Sequence, residues 1–329
     1  MRRAAGSIIE QTNSQSFSDT VRAYVELSKP GILRLLLITA VCPMLVAQRG
    51  MPDLMLIVWT LLGLGLVSAS ANAMNMAYDQ DIDRVMKRTM DRPLPSGRID
   101  VRGALIFASL TGAVGVIVLL TMVNLTAALS ALGGHLFYVF IYTMWLKRST
   151  PHNIVIGGAA GAVPPLVGWA AVQGSLDLPA WIMFCIIFFW TPPHFWALSL
   201  YKREDYSRAG VPMLPVVSGE KVTKRQMVLY TIMLVPITLA LGLVSMGWLY
   251  TISALVLGLI FGYFVFKAVK EPQGSYVWSK RTFAYSILYL ALLFGAMSAD
   301  ALLVEAMKPS PQAPLIEFVP AKSVTTPAQ

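Results

Sequence analysis

Nine runs of apolar residues, each about long enough to cross a bilayer, leave few folds open to this chain. They lie near 32–48, 54–76, 103–122, 125–146, 154–173, 178–200, 227–247, 249–267 and 282–304. A hydrocarbon core about 30 Å thick takes roughly 20 apolar residues per helix. Backbone in lipid must satisfy its own hydrogen bonds, so spanning runs of this length are helices. The chain is therefore read as all-α, a polytopic membrane protein with nine transmembrane helices. With 56% hydrophobic and 13% charged residues, and a positive mean hydropathy, a water-soluble globule is excluded. The expected organisation is an N-terminal cytoplasmic segment over 1–27, a transmembrane domain over 28–306 and an external tail over 307–329. The tail is rich in Pro, Ala, Thr and Ser and is expected to be disordered.

The connections carry an orientation. With the N-terminus inside, 23 of the 26 Lys and Arg residues fall on the inner side, and only Arg49, Lys308 and Lys322 fall outside. That asymmetry predicts a cytoplasmic N-terminus and an external C-terminus. It also accounts for the net charge of +9 without a nucleic-acid partner, for which no aromatic-basic surface is present. The first thirty residues carry Glu10, Asp19 and Glu26 and no signal-type apolar core, so neither a cleaved signal nor a transit peptide is expected. A bacterial inner membrane is the expected home. Cys42 and Cys185 stand singly inside spans and are read as packing groups.

Most links are short, but two inner ones, residues 77–102 and 201–226, are long and polar. Long loops held by a short-looped bundle are where function concentrates. In the first, Asn75, Asp79 and Asp83 recur every four residues, so a helix continuing past the bilayer core would stack their oxygens in one column. Stacked carboxylates repel unless a cation lies between them. A hard ion that binds through one or two carboxylates plus substrate phosphates is magnesium. Asn72 lies a turn deeper, where a polar amide is expensive and usually has a task. Arg84, Lys87, Arg88 and Arg92 follow at once, suited to a multiply charged anion; a guanidinium fork binds phosphate oxygens, and diphosphate is the natural ligand. No GxxxxGK loop is present, which disfavours a nucleotide triphosphatase.

In the second loop Asp205 is the candidate ligand, with Glu204 as the alternative, and Lys202, Arg203 and Arg208 add positive charge. Gly210, Pro212, Pro215 and Gly219 are expected to break any helix there. A third inner stretch, "LKRSTPHN" at 146–153, adds Lys147, Arg148, Ser149, Thr150 and Asn153. Three polar loops on one face of an apolar bundle describe a cavity for a lipid-tailed anion. A transporter for a phosphorylated lipid or a cation is the competing reading from another class.

Three long stretches carry a resemblance: "NMAYDQDIDRVMKRTMDRPLPSGRI" (75–99), "YTMWLKRSTPHNIVIGGAAGAVPPLVGWAAVQG" (142–174) and "WTPPHFWALSLYKREDYSRAGVPMLPVVSG" (190–219), preceded by "SKPGILRL" at 28–35. In this order they resemble the UbiA superfamily of intramembrane prenyltransferases. The resemblance implies nine transmembrane helices around a central cavity, Mg2+ as cofactor, and transfer of a prenyl group from its diphosphate. It puts Asn75, Asp79 and Asp83 in a first metal motif. The second motif, DxxxD in the wider family, falls on Tyr201 and Asp205, so only the second acid remains. Asp81 and Glu204 stand by as helpers, and the number of metal ions is left open. That substitution fits the branch whose acceptor is haem B better than the branch prenylating quinone precursors such as 4-hydroxybenzoate. On this resemblance Asp79, Asp83, Asp205, Lys202 and Arg88 act in catalysis. Asn72, Asn75, Arg84, Arg92, Lys147, Arg148, Asn153, His194, Tyr201 and Arg203 contact the substrates, farnesyl diphosphate and haem B. Trp190 and Tyr142 are expected among the side chains that shield the prenyl cation. A haem A synthase or terminal oxidase would be the assembly partner. Of the three histidines, His194 is favoured over His135 and His152 as an acceptor contact.

Replacing Asp79 or Asp83 by Asn is expected to abolish turnover while the protein still inserts. Near-normal product from membranes carrying both variants would remove the metal-site reading.

Overall fold

The computed structural model describes residues 16–306, in the order α1 (Phe17–Leu27), α2 (Pro30–Gln48), α3 (Leu54–Tyr78), α4 (Gln80–Val85), α5 (Val101–Met122), α6 (Leu125–Leu136), a π-helical stretch (Phe137–Leu146), α7 (Lys147–Ser149), α8 (Asn153–Gly161), α9 (Val163–Gln173), α10 (Leu178–Tyr201), α11 (Arg203–Arg208), α12 (Leu214–Val217), α13 (Gly219–Val244), α14 (Trp248–Lys270) and α15 (Val277–Ala306). Among the described residues these elements make nine helical spans long and apolar enough to cross a membrane. Their outward faces are greasy: Leu110, Ile117 and Leu259 are more than half exposed, which suits hydrocarbon and not water. The 307–329 tail, with Lys308 and Lys322, and residues 1–15 lie outside the described residues.

Several spans run beyond their apolar stretches. α13 begins at Gly219 rather than near 227, and α15 at Val277 rather than near 282. A buried polar staple holds these helix ends together. Glu271, after α14, accepts hydrogen bonds from the Trp278 and Ser279 amides at the start of α15, at 2.9 and 3.3 Å. Lys224 of α13 donates to the Glu271 carbonyl at 2.9 Å. Tyr276 donates to Glu220 at 2.6 Å, a bond that pushes the phenol up to about 12. The expectation that 201–226 is a broken loop therefore needs correcting: α11, α12 and the first turns of α13 occupy most of it. Gly210 (φ 65°) and Gly219 (φ 77°) supply the left-handed joints between these helices.

Helix α3 lies along α5, α2 along α9, and α10 against α13 and α15; α14 packs between α13 and α15, and contact of α15 with α2 closes the ring. Glycines set the closest crossings. A Cβ at Gly168 would collide with the carbonyl oxygen of Ala40, and one at Gly115 would lie 2.8 Å from the Gly63 carbonyl. Membrane helices pack through such small residues, because apolar burial alone does not hold helices together in lipid. The fourth and fifth spans are irregular. The fourth loosens into the π-helical stretch at Phe137, and the fifth breaks at Ala162, where Val163, Pro164 and Pro165 start a new helix. Inside the ring is a cavity of about 380 Å³, lined by α2, α3, α6, the π-helical stretch, α8, α9 and α10, with Leu290 of α15.

Gly168→Ala is expected to destabilise the protein by about 1–3 kcal/mol, because the clash is with backbone. Gly262→Ala, whose new methyl meets nothing within 4 Å, is expected to leave the thermal midpoint in detergent unchanged. Equal midpoints for the two variants would discard this account of the α2 and α9 crossing.

Candidate active site

At the mouth of the cavity, the end of α3 meets the turn before α2. Asn72 donates to the Ser28 carbonyl at 3.0 Å, tying that turn to α3. Lys29 has a left-handed backbone (φ 52°), since the following Pro30 disfavours the helical region for it. Its ammonium donates to Asn75 Oδ1 at 2.7 Å. Asn75 in turn donates to Asp79 Oδ2 at 2.7 Å and to Thr143 Oγ1, on the π-helical stretch, at 3.0 Å. The amide is thus fully used in holding Asp79 between three elements.

The expected column survives a change of helix. Asp79 is the junction between α3 and α4, yet its N–H still bonds to the Asn75 carbonyl at 2.9 Å, and that of Asp83 to the Asp79 carbonyl at 2.9 Å. Asp79 is 1% exposed and Asp83 is 3% exposed, so both carboxylates need partners. Lys147 forms a very short ion pair with Asp79 Oδ2, while Asp79 Oδ1 is buried without a hydrogen bond, the Arg148 guanidinium 3.6 Å away. Arg92 reaches back from the loop to grip both oxygens of Asp83, at 2.8 and 3.0 Å. Arg148 clamps the exposed Asp81 at 2.7 Å to each oxygen, which holds that carboxyl at about 2, and lies over the Tyr78 ring. Burial, with the charges of Arg92 and Lys147, lowers Lys29 to about 7 against the opposing pull of Asp83 and Asp79. These five charged groups therefore share one small volume.

The second loop packs against the first: Ile82 and Met86 bury with Val211 and Met213, and Tyr206 and Phe195 close over them. Burial raises the Tyr206 phenol, with Asp205 adding to the rise and Arg88 and Arg92 opposing it. Asp205 itself is turned to its own helix, pairing with Arg208 at 2.6 Å and Lys202 at 3.7 Å. Arg84, Arg88 and Arg203 are exposed and form no ion pair among the described residues. Tyr201 is half-buried, its ring under the Lys280 ammonium and edge-on to Phe283. Asn153, buried at the start of α8, donates to the Lys147 carbonyl at 3.4 Å and leaves its Oδ1 unpartnered. His194 is buried in the cavity wall, whereas His135 lines the cavity with Nδ1 3.4 Å from the Val67 carbonyl and His152 is exposed in the loop. Lys29 and Thr143 were not among the sequence-derived site residues. The run "SKPG" was the one available signal for Lys29, and Thr143 had none.

The donor set suits a hard divalent cation. A buried carboxylate oxygen without a hydrogen bond, Asp79 Oδ1, is what such an ion takes, and the Arg148 guanidinium lies 3.6 Å from it. Among the described residues no three acidic, His or Cys groups converge as a self-sufficient metal cage. Magnesium held by one or two carboxylates and completed by substrate phosphates needs no cage. Above this mouth the cavity walls are mostly apolar or aromatic, Tyr138, Tyr142, Trp190 and Phe195 among them.

A charged cradle opening into a greasy intramembrane cavity is the build of a membrane-embedded prenyltransferase. The model of the "UbiA prenyltransferase family" matches residues 35–293, and the chain belongs to that family. It is 55% identical over 281 residues to the protoheme IX farnesyltransferase of Symbiobacterium thermophilum, covering 85% of this chain and 94% of the relative. It is 51% identical over 286 residues to that of Gloeobacter violaceus, covering 87% and 93%. Solved structures with the same fold include a digeranylgeranylglyceryl phosphate synthase (TM-score 0.73, 21% identity, 87% of this chain and 99% of the other). A UbiA homolog from Archaeoglobus fulgidus bound to GPP and Mg2+ also shares it (TM-score 0.65, 20% identity, 84% and 99%).

Lys29→Ala is expected to lower prenyl transfer about 10- to 100-fold, the worth of one charged hydrogen bond at Asn75. Diphosphate release from purified protein checks it; wild-type rates from well-folded Lys29→Ala would take Lys29 out of the site.

Proposed function

We propose that the protein transfers the farnesyl group of farnesyl diphosphate to a vinyl group of haem B, releasing diphosphate, in the route to haem O and haem A. The observation that carries the transfer chemistry is the buried Asp79, held by Asn75 and Lys147 at the mouth of a largely apolar cavity. The acceptor is supported by the relatives of about 50% identity that bear the name protoheme IX farnesyltransferase.

The leaving group needs its growing charge neutralised. Lys29, Arg92, Lys147 and Arg148 stand at the mouth paired to Asn75, Asp83, Asp79 and Asp81, close enough to exchange those partners for diphosphate oxygens. Arg88, Lys202 and Arg203 line the approach on the two packed loops. Asp79, Asp83 and Asp205, with Asn75 fixing the first of them, are the residues that would hold magnesium. The ion, when bound, supplies Lewis-acid charge to the departing diphosphate. The apolar walls hold the farnesyl tail and exclude water, while the faces of Tyr138, Tyr142 and Trp190 offer electron density to the allylic cation. The vinyl carbon bonds to farnesyl C1 as its C–O bond breaks. Water then adds to the cation adjoining the porphyrin and loses a proton, giving a hydroxyethylfarnesyl chain.

The charge asymmetry of the connections supports an inner-membrane placement with this mouth on the cytoplasmic side. Residues 28–306 form the transferase unit in this reading, and a haem A synthase or terminal oxidase is the partner that takes the product.

Membranes containing the protein are incubated with farnesyl diphosphate and either haem B or 4-hydroxybenzoate, and products are identified by mass. Farnesylated haem is expected. Prenylated benzoate without farnesylated haem would overturn the acceptor, and flux into vesicles without diphosphate release would overturn the enzyme.

A further inference from the structure

His194 is buried in the cavity wall, and the charge-based mechanism gives it nothing to do. It follows Trp190 by one turn of α10, and its ring lies between the Trp190 indole (4.3 Å, 19°) and the Phe283 ring of α15 (4.7 Å, 26°). Phe195 meets it edge-on at 5.1 Å. These contacts leave the ring one orientation. Trp190 Nε1 donates to the Ser286 carbonyl at 2.8 Å, pinning α10 to α15 at this level.

The hydrogen bonds also select the tautomer. Ser286 Oγ lies 2.6 Å from His194 Nδ1, and the same hydroxyl donates to the Phe283 carbonyl at 2.6 Å. A hydroxyl has one proton and a carbonyl can only accept. The Ser286 proton is therefore committed to Phe283, and the proton between Ser286 and the imidazole belongs to Nδ1. In a neutral ring Nε2 is then bare, its lone pair in the ring plane. Nε2 has no hydrogen-bond partner among the described residues and is not sealed among the buried unpartnered atoms, while the side chain lines the cavity.

We propose that His194 Nε2 is the axial ligand of the haem iron when the acceptor occupies the cavity, and that Ser286 is the positioning residue that fixes its tautomer and ring plane. The proposal rests on the haem reading given above. A bare imidazole nitrogen can only accept or ligate, so it repels a haem propionate and draws the iron. Imidazole suits iron, whereas the carboxylates at the mouth suit a hard oxygen-seeking ion, so ligand chemistry keeps the two metals apart. An N–Fe bond forms by donation of the lone pair, a weakly held water leaves the iron, and no proton or electron moves. An outer partner that holds the far nitrogen, as Ser286 does here, is the usual means of orienting a ligating histidine. Ligation would also keep the porphyrin at a constant depth, so that one vinyl group is presented to the prenyl cation.

Full-length protein in lipid nanodiscs is titrated with ferric haem B while optical and electron paramagnetic resonance spectra are recorded. The wild type and Asp79→Asn are expected to give a histidine-ligated signature, which His194→Gln loses. Ser286→Ala is expected to weaken haem binding about 10-fold and broaden the signature, and Ser286→Thr to restore it. A wild-type spectrum and affinity in folded His194→Gln would overturn the proposal. Should that variant not fold, identical spectra and affinities for wild type and Ser286→Ala would overturn it instead. Farnesyl transfer by the wild type is measured in the same preparation: no farnesylated haem defeats the acceptor reading, whereas transfer alongside an unchanged His194→Gln spectrum defeats the ligand alone.

Discussion

A carboxylate held almost wholly out of water at the edge of a membrane governs the rest of this structure. An unpaired charge at that depth is prohibitively expensive, and a pair is tolerable only with good geometry and satisfied hydrogen bonds. Asp79 meets both conditions through groups distant in sequence: Asn75 one turn back, Lys147 at the end of the fourth span, and Lys29 acting through Asn75. Three spans must therefore stop at one level. The turn before α2, the end of α3 and the end of the π-helical stretch are fastened there by hydrogen bonds that would be lost together. The mouth of the cavity is consequently a rigid frame of charges, although it stands between flexible-looking polar loops.

The distribution of labour follows the ring. The elements from α2 to α8 contribute the charges and most of the small residues, whose close crossings leave room inside. Gly157, on α8, is open enough for the Tyr142 ring to lie against it; a Cβ there would strike that ring. Helices α10 and α15 contribute aromatic surface, with Trp190, His194 and Phe283 stacked between them. Charge is thus concentrated at the mouth, where substrate diphosphate can reach it, and polarisable apolar surface lies deeper, where a cation or a porphyrin needs cover.

Legibility in the sequence tracked the range over which each feature is determined. The nine spans could be read because each depends only on its own run of apolar residues. Asn75, Asp79 and Asp83 could be read as a column because their spacing is local, and the helical hydrogen bonds continue through the junction at Asp79. The break at Phe137 was not legible, because nothing in "LFYVFIYTMWL" distinguishes a π-helical stretch from an ordinary apolar helix, whereas Pro164 and Pro165 mark the break at Ala162. Residues 201–226 were misjudged because Gly210 and Gly219 mark joints between short helices rather than an open loop. Lys29, Thr143 and Ser286 owe their importance to partners 46, 68 and 92 residues away, a separation that no local pattern records.

The charge count at the mouth bears on the cofactor. Lys29, Arg92, Lys147 and Arg148 provide four positive charges against three negative from Asp79, Asp81 and Asp83, so the net is +1. Burial lowers Lys29 and so weakens even that surplus. A diphosphate brings several negative charges into this enclosed space, where the low dielectric magnifies any imbalance. The basic side chains are already committed to the acids, and moving them to the phosphate oxygens strips the acids of their partners. The four basic side chains paired at the mouth can neutralise the carboxylates or the diphosphate, but not both. A divalent cation held by Asp79 and Asp83 would resolve the conflict by supplying the positive charge that lets Lys147 and Arg92 turn to the leaving group. On that count the ion pairs at Asp79 and Asp83 fit a site that would be balanced by phosphate and metal together.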